Sequence, residues 1–164
     1  MTDYRAALLE WAKTQVGPGD RAAYWRSAFG SDPGSELAWC GVFCLAGLHA
    51  IGLAQDVRWH LGLGFVGPAG LKQTKTPERG DIGYVAEPYQ HHFLYDHTDD
   101  KGLIHSIDGN QPDVRERTRR SDQVTCFYSI AGLIPLPEAG FLRGEKYSVS
   151  GIQDKPGGDD ERTS

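Results

Sequence analysis

The chain has 164 residues, 39% of them hydrophobic and 24% charged, which is enough for one compact core and too little for two full-sized domains. A formal charge of -5, with one short basic run from Arg115 to Arg120 interrupted by Glu116, gives little electrostatic support for nucleic-acid binding. No apolar run reaches the roughly 20 residues of a membrane span, and the start Met1-Thr2-Asp3-Tyr4-Arg5 lacks the basic and apolar blocks of a secretory signal.

From Asp3 to Val16 the apolar positions Tyr4, Ala7, Leu8, Trp11, Ala12 and Val16 recur at intervals of three and four, predicting an amphipathic helix with Thr2 or Asp3 as N-cap. Gly17-Pro18-Gly19 ends it. A second short helix is expected from Asp20 to Phe29, followed by the turn-forming stretch Gly30 to Ser35. Ala38 to Ile51 is apolar nearly all round, the pattern of a helix buried through the centre of a domain, with Gly52 as its C-cap. The Gly-rich segment Trp59 to Leu71 is expected to be loop with a short helix. Beyond Pro77 the period changes, and Asp81 to Val85, His92 to Tyr95, Leu103 to Ile107 and Val124 to Leu133 look like strands separated by polar turns. Helices first and an antiparallel sheet second make an α+β domain. It is expected over residues 1–145, with a polar, disordered tail over 146–164.

Three cysteines, Cys40, Cys44 and Cys126, do not form a disulfide framework. Cys40 falls in the first turn of the central helix, where the partial positive charge of the helix N-terminus favours the thiolate, the nucleophilic form. Cys44 lies one turn deeper. A nucleophilic cysteine needs a base, usually His, and a third polar group to orient the imidazole. His91 and His92 are the candidates, and neighbours on a strand face opposite sides, so one of them at most points at Cys40. A three-residue loop Asp100-Lys101-Gly102, with Gly102 left-handed, would pair Asp99 with Leu103 and carry His92 opposite Asn110. That register favours His92 as base and Asn110 as orienter, with His91 as the alternative base and Asp108 as the alternative orienter. Trp39, beside the thiol, is a candidate wall of a substrate cleft. His49, His60, His97 and His105 are assigned structural or surface places. Cys-x3-Cys followed by adjacent histidines lacks zinc-ligand spacing, so neither metal nor cofactor is expected.

These residues resemble the CHAP amidases, a family of papain-like cysteine hydrolases that cleave peptidoglycan. The opening helix ending at Gly17 is similar to the family's first helix, and Ala38-Trp39-Cys40-Gly41-Val42-Phe43 to its nucleophile helix. Thr76-Pro77-Glu78-Arg79-Gly80-Asp81-Ile82 resembles its Pro-x-x-Gly-Asp-Ile segment, and Ile107-Asp108-Gly109-Asn110-Gln111 its Gly-Gly-Asn-Gln turn. Where the family has Gly-His-Val opening a strand, this chain has His91-His92-Phe93. The resemblance implies a papain-like fold, with N-terminal helices and a buried nucleophile helix packed on an antiparallel sheet. It carries over Cys40 as nucleophile, His92 as base, with His91 as the alternative, and Asn110 as orienter.

The reaction this implies is acyl transfer from an amide, with the Cys40 N–H as one oxyanion donor and Ser35, in the upstream loop, as a candidate second. By resemblance the substrate is peptidoglycan, cut at the amide between the muramic acid lactyl group and the stem peptide or at a peptide bond of the stem or cross-bridge. Synthesis in the cytoplasm without a signal peptide would leave delivery to the wall to phage-type lysis or to injection by a secretion apparatus. An injected toxin would need an immunity protein as partner. Two rivals are a deamidase, protease or transglutaminase using the same triad on proteins, and a degenerate domain used only for binding.

Overall fold

Short polar residues set the helix starts in the order the sequence predicts. Asp3 accepts from the Ala6 N–H at 3.0 Å and opens α1 (Tyr4–Thr14); Asp20 accepts from Ala23 N–H at 2.9 Å and opens α2 (Arg21–Phe29). Each bond satisfies one of the donors that a helix start leaves unpaired. Gly30, left-handed at φ 80°, closes α2 by donating to Arg26 O. The computed structural model describes residues 2–34, 37–55, 71–110 and 112–136. Ser35, residues 59–70 and the tail 146–164 therefore lie outside the described residues, as does the boundary at 145.

The central helix α3 (Cys40–Ala50) is buried from Cys40 to Leu48. It earns its all-round apolarity by lying between α1 and α2 on one side and the sheet on the other. Rings fill the helical interface: Trp11 lies 5.2 Å from Phe43, and Tyr24 stacks on Trp39 at 5.4 Å. Trp39 is 1% exposed. It is a core residue, which corrects the expectation of a cleft wall, because its ring turns inward toward Tyr24 rather than out beside the thiol.

Seven strands form one sheet among the described residues: β1 (Gly17–Pro18), β2 (Lys72–Thr74), β3 (Ile82–Val85), β4 (His91–Thr98), β5 (Leu103–Asn110), β6 (Asp113–Arg120) and β7 (Cys126–Ser129). Their order is β1-β6-β5-β4-β3-β7-β2, every neighbouring pair antiparallel. The architecture is α+β, as expected. β6 is the strand that hydrophobic alternation does not reveal, since only Val114 in it is buried. It exists because all eight of its residues pair with β5, from Asn110 with Asp113 to Leu103 with Arg120. Asp108, Gly109 and Asn110, which read as a turn, therefore finish β5. The last predicted strand stops at Ser129, and Ala131–Leu133 form a 3-10 turn.

Two apolar layers flank the sheet. Tyr84, Leu94 and Ile107 join the main core under α3, whereas Phe93, Tyr95 and Ile104 form a smaller cluster with Phe127. Buried Asp81, in the segment before β3, ties distant parts together: it takes Arg5 of α1 at 2.7 Å and the Ile130 N–H at 3.0 Å on one oxygen, and the Glu78 N–H at 2.8 Å on the other.

The register of β4 on β5 decides which histidine meets which face. Its loop forms as predicted, with Gly102 left-handed at φ 77° and the Asp99 N–H donating to Leu103 O at 2.9 Å. His97 then pairs with His105, but Tyr95 pairs with Ser106 and Leu94 with Ile107. Asp96 is thus an extra residue, a β-bulge, and its carboxylate reaches out to Arg79 at 2.8 Å and Lys13 at 3.8 Å. Beyond a bulge every side chain changes face. Counting on, His91 stands opposite Asn110 and His92 opposite Gly109, one residue off the expected alignment.

Candidate active site

Cys40 opens α3 directly beneath the start of β4, and among the described residues no side chain caps this helix. Gly109 makes the close packing possible: a Cβ there would stand 2.4 Å from the Phe43 ring and 2.8 Å from Trp39, so any side chain would push the nucleophile helix off β5. All three cysteines are free thiols.

The imidazole that meets Cys40 belongs to His91. The Cys40 thiol and the His91 imidazole each favour the charged form of the other, and His91 Nε2 lies 2.6 Å from Asp108 Oδ2. With Nε2 taken by the carboxylate, Nδ1 is the nitrogen left for the thiol. Asp108 is 3% exposed and is itself held from two further directions. Ser106 Oγ donates to its Oδ1 at 2.5 Å, and Arg119 Nη2 donates to the same Oδ2 that His91 uses. The Arg119 guanidinium sits 3.7 Å over the Phe93 ring, a placement favourable to a cation.

The electrostatics follow from these contacts. Burial pushes the Cys40 thiol up, but the hydrogen bond and charge of His91, with the backbone N–H groups of His92 and Gly41, outweigh it and hold the thiol below its ordinary value. Burial pushes His91 down, and its bonds to Asp108 and Cys40 prevail, raising it from 6.5 to about 9. Asp108 loses hydration too, yet His91, Arg119 and Ser106 keep it below the usual carboxylate range. The result is that Cys40, His91 and Asp108 are each biased toward the charged form, alternating in sign, with the Arg119 guanidinium at the end of the row.

His92, the expected base, lies on the helix side of the sheet with its ring 4.7 Å from Tyr84. It is 1% exposed, and burial, with the charge of His91, pushes it down to about 3. The bulge at Asp96 is the physical reason for this correction. What His92 supplies to Cys40 is its main-chain N–H. Asn110, the expected orienter, ends β5 and lines the recess beside His91, while the carboxylate on Nε2 comes from Asp108. Cys44, fully buried in the core, has its thiol raised well above the ordinary value by burial and then by the nearby Cys40 and Asp108 charges. Cys126 is on β7.

His49 is a structural residue, its ring nitrogens 3.0 Å from Ser27 O and 2.7 Å from Ala54 O. His97 and His105 stack on each other at 4.3 Å. Ser35 and His60 lie outside the described residues. Among the described residues no group of three or more His, Cys, Asp or Glu is placed to hold a metal ion, and no helix is long and apolar enough to cross a membrane. Arg119 was not visible as a site residue because β6 was not, and Ser106 because the predicted strand ended at Ile107, one residue short of Asp108. Once β6 is a strand, its alternation sets Arg119 on the face of Asp108.

Comparison of the chain with protein-family models, curated proteins and solved structures finds no match.

Proposed function

We propose that the protein is a cysteine hydrolase that cleaves an amide bond of peptidoglycan, with Cys40 as nucleophile, His91 as acid and base, and Asp108 as the group that orients His91. The observation that carries this reading is His91 set between Cys40 and Asp108, its Nε2 2.6 Å from the Asp108 carboxylate and its ring favouring the charged form of the thiol. It is the nucleophile, base and orienter arrangement that thiol acyl transfer requires. The peptidoglycan substrate and the papain-like affinity rest on the sequence resemblance to CHAP amidases.

The Cys40 thiolate attacks the amide carbon and forms a C–S bond, and the carbonyl electron pair moves to oxygen. The Cys40 N–H, at the start of α3, is suited to receive that oxyanion. Collapse of the tetrahedral adduct breaks the C–N bond as His91 passes its Nδ1 proton to the departing amine, leaving a thioester. Water then gives a proton back to His91 and its oxygen to the acyl carbon, releasing the acid and restoring the ion pair. Asp108 holds the ring through both transfers and stabilises its cationic form.

The binding-module alternative is favoured by an absence of any imidazole facing Cys40, and His91 does face it. Purified sacculi incubated with the wild-type protein and with Cys40→Ala, followed by mass analysis of the soluble fragments, test the proposal and identify the bond cut. Release of new amine and carboxyl ends by the wild type alone is expected. Equal release by Cys40→Ala, or none by the wild type from walls of several chemotypes, overturns it.

A further inference from the structure

Beside His91 the face of the sheet away from α3 carries a recess of about 300 Å³, lined by Tyr89, Gln90, His91, Asn110, Arg117 and Arg119 among others. A second recess of about 490 Å³ continues it and shares His91, Arg117 and Arg119. The charges along its β6 wall are unevenly matched. Arg115 is paired with Asp113, Arg119 with Asp108 and Arg120 with Asp122. Arg117, exposed on the same strand, has no carboxylate partner among the described residues.

The acids of the first recess do not fill that role, since Asp108 is bonded to His91 and Arg119, and Asp113 to Arg115. Glu87 lines the second recess with Arg117 but forms no ion pair with it. Deeper in the wall, the Arg119 side chain is 10% exposed and its Nη1 is buried without a hydrogen-bond partner among the described residues. A buried guanidinium nitrogen left in this state is costly unless an acceptor meets it. Two guanidinium groups, one unpaired and one half-satisfied, thus line a recess that the general base also borders. Tyr89, 83% exposed at the rim, adds an aromatic surface that solvent alone does not explain.

We infer that this recess is a carboxylate subsite: Arg117, backed by Arg119, receives a free carboxylate of the substrate while the scissile carbonyl lies at Cys40. The inference deepens the amide-hydrolase reading and rests on it for the identity of the substrate. Arg117 is two strands from His91 and four residues along β6 from Asp113. At about 3.4 Å per residue and about 4.8 Å between strands, the backbones are on the order of 16 Å apart, less the reach of the arginine. The carboxylate would then stand roughly two to three extended residues from the cleaved bond. A stem peptide, with acidic residues and a free C-terminus, meets that description, and amidated stems do not.

The test uses Cys40→Ala as a host that binds without turnover, and two synthetic stem peptides, one with free carboxylates and one with all of them amidated. Titration calorimetry is expected to show the free form binding about 10- to 100-fold tighter, the range of a charge-assisted arginine–carboxylate contact. Arg117→Gln should collapse that ratio toward one. Arg120→Gln, which removes an equal charge from the same strand but from outside the recess, should keep it. Equal binding of the two peptides, binding of neither, or a ratio that survives Arg117→Gln overturns the subsite. Cleavage of sacculi is read separately: discrimination without Cys40-dependent cleavage keeps the carboxylate site and sinks the hydrolase, and cleavage without discrimination does the reverse.

Discussion

Cys40 and Cys44 are one helical turn apart, and His91 and His92 are adjacent, yet the two sets live in opposite electrostatic worlds. Cys40 and His91 meet where α3 begins, in reach of Asp108, and each favours its charged form. Cys44 and His92 face the main core and each is driven toward its neutral form, the thiol far up and the imidazole down to about 3. All four groups are mostly desolvated, so burial does not separate them. The difference is a partner: one carboxylate, held by Arg119 and Ser106, charges His91, and His91 in turn charges Cys40. A desolvated site with its counter-charge in place becomes reactive, and one without it becomes packing.

The largest expected effect is at the two thiols. Cys40→Ala should lower amide cleavage by about 10⁴-fold or more, because no other group can form the thioester, while Cys44→Ala should retain most of the rate per folded molecule. Iodoacetamide, with the adduct located by peptide mass mapping, should reach Cys40 ahead of the more exposed Cys126. Preferential labelling of Cys126 or Cys44 would break the comparison at its root.

The histidines come next. His91→Ala should cost about 10³-fold in kcat with little change in fold, since general acid–base catalysis alone is worth about 10²–10⁴. His92→Ala should act on stability instead, by about 2–4 kcal/mol for a buried ring removed from against Tyr84, with activity per folded molecule within about tenfold, because its contribution to Cys40 is a main-chain N–H that the substitution leaves in place. Thermal unfolding and steady-state kinetics on the same samples separate the two. Loss of turnover in His92→Ala with a normal Tm would return the base to the residue that the unbulged register favoured.

That register marks where the sequence stops being informative. Helix starts at Asp3 and Asp20, the buried helix bearing Cys40, the left-handed Gly102 and the hairpin it closes are all local chemistry, and all were legible. The bulge at Asp96 was not, because its cause is remote: Asp96 leaves the ladder for Arg79 and Lys13, partners fixed only after α1 and the segment before β3 have docked. One inserted residue exchanged His92 for His91. The same limit hid β6, whose arginines carry no strand pattern and are held by pairing with β5. The triad's residue types were therefore readable, while the choice between neighbours depended on tertiary contacts.

Asp108→Asn sharpens the comparison by removing the counter-charge and leaving the shape. His91 is raised above its free value of 6.5 to about 9, so its cation, and the stability that cation contributes, is fully present below about 6.5 and is lost as pH rises through about 9. Cys40 is lowered, so its thiolate is lost as pH falls through a value below the ordinary 9.0. The ion pair therefore exists between those limits, and kcat/KM should be bell-shaped with an alkaline limb at about 9, both limbs belonging to the coupled pair. In Asp108→Asn the alkaline limb should move to lower pH, with kcat reduced by about 10- to 100-fold. An unmoved limb would mean that the carboxylate positions nothing.

Asn110→Ala is the smallest change and the finest test of the same contrast. Had β4 run without its bulge, Asn110 would stand opposite His92, and its loss would cost what loss of an orienter costs. In the observed sheet the carboxylate on the His91 ring is that of Asp108, and Asn110 ends β5 and borders the recess. Its replacement should change kcat by about threefold at most and leave the alkaline limb at about 9, with any larger effect confined to KM as a lining residue would give. A fall in kcat equal to that of Asp108→Asn, accompanied by a shift of the alkaline limb, would show that the carboxamide shares the imidazole with the carboxylate.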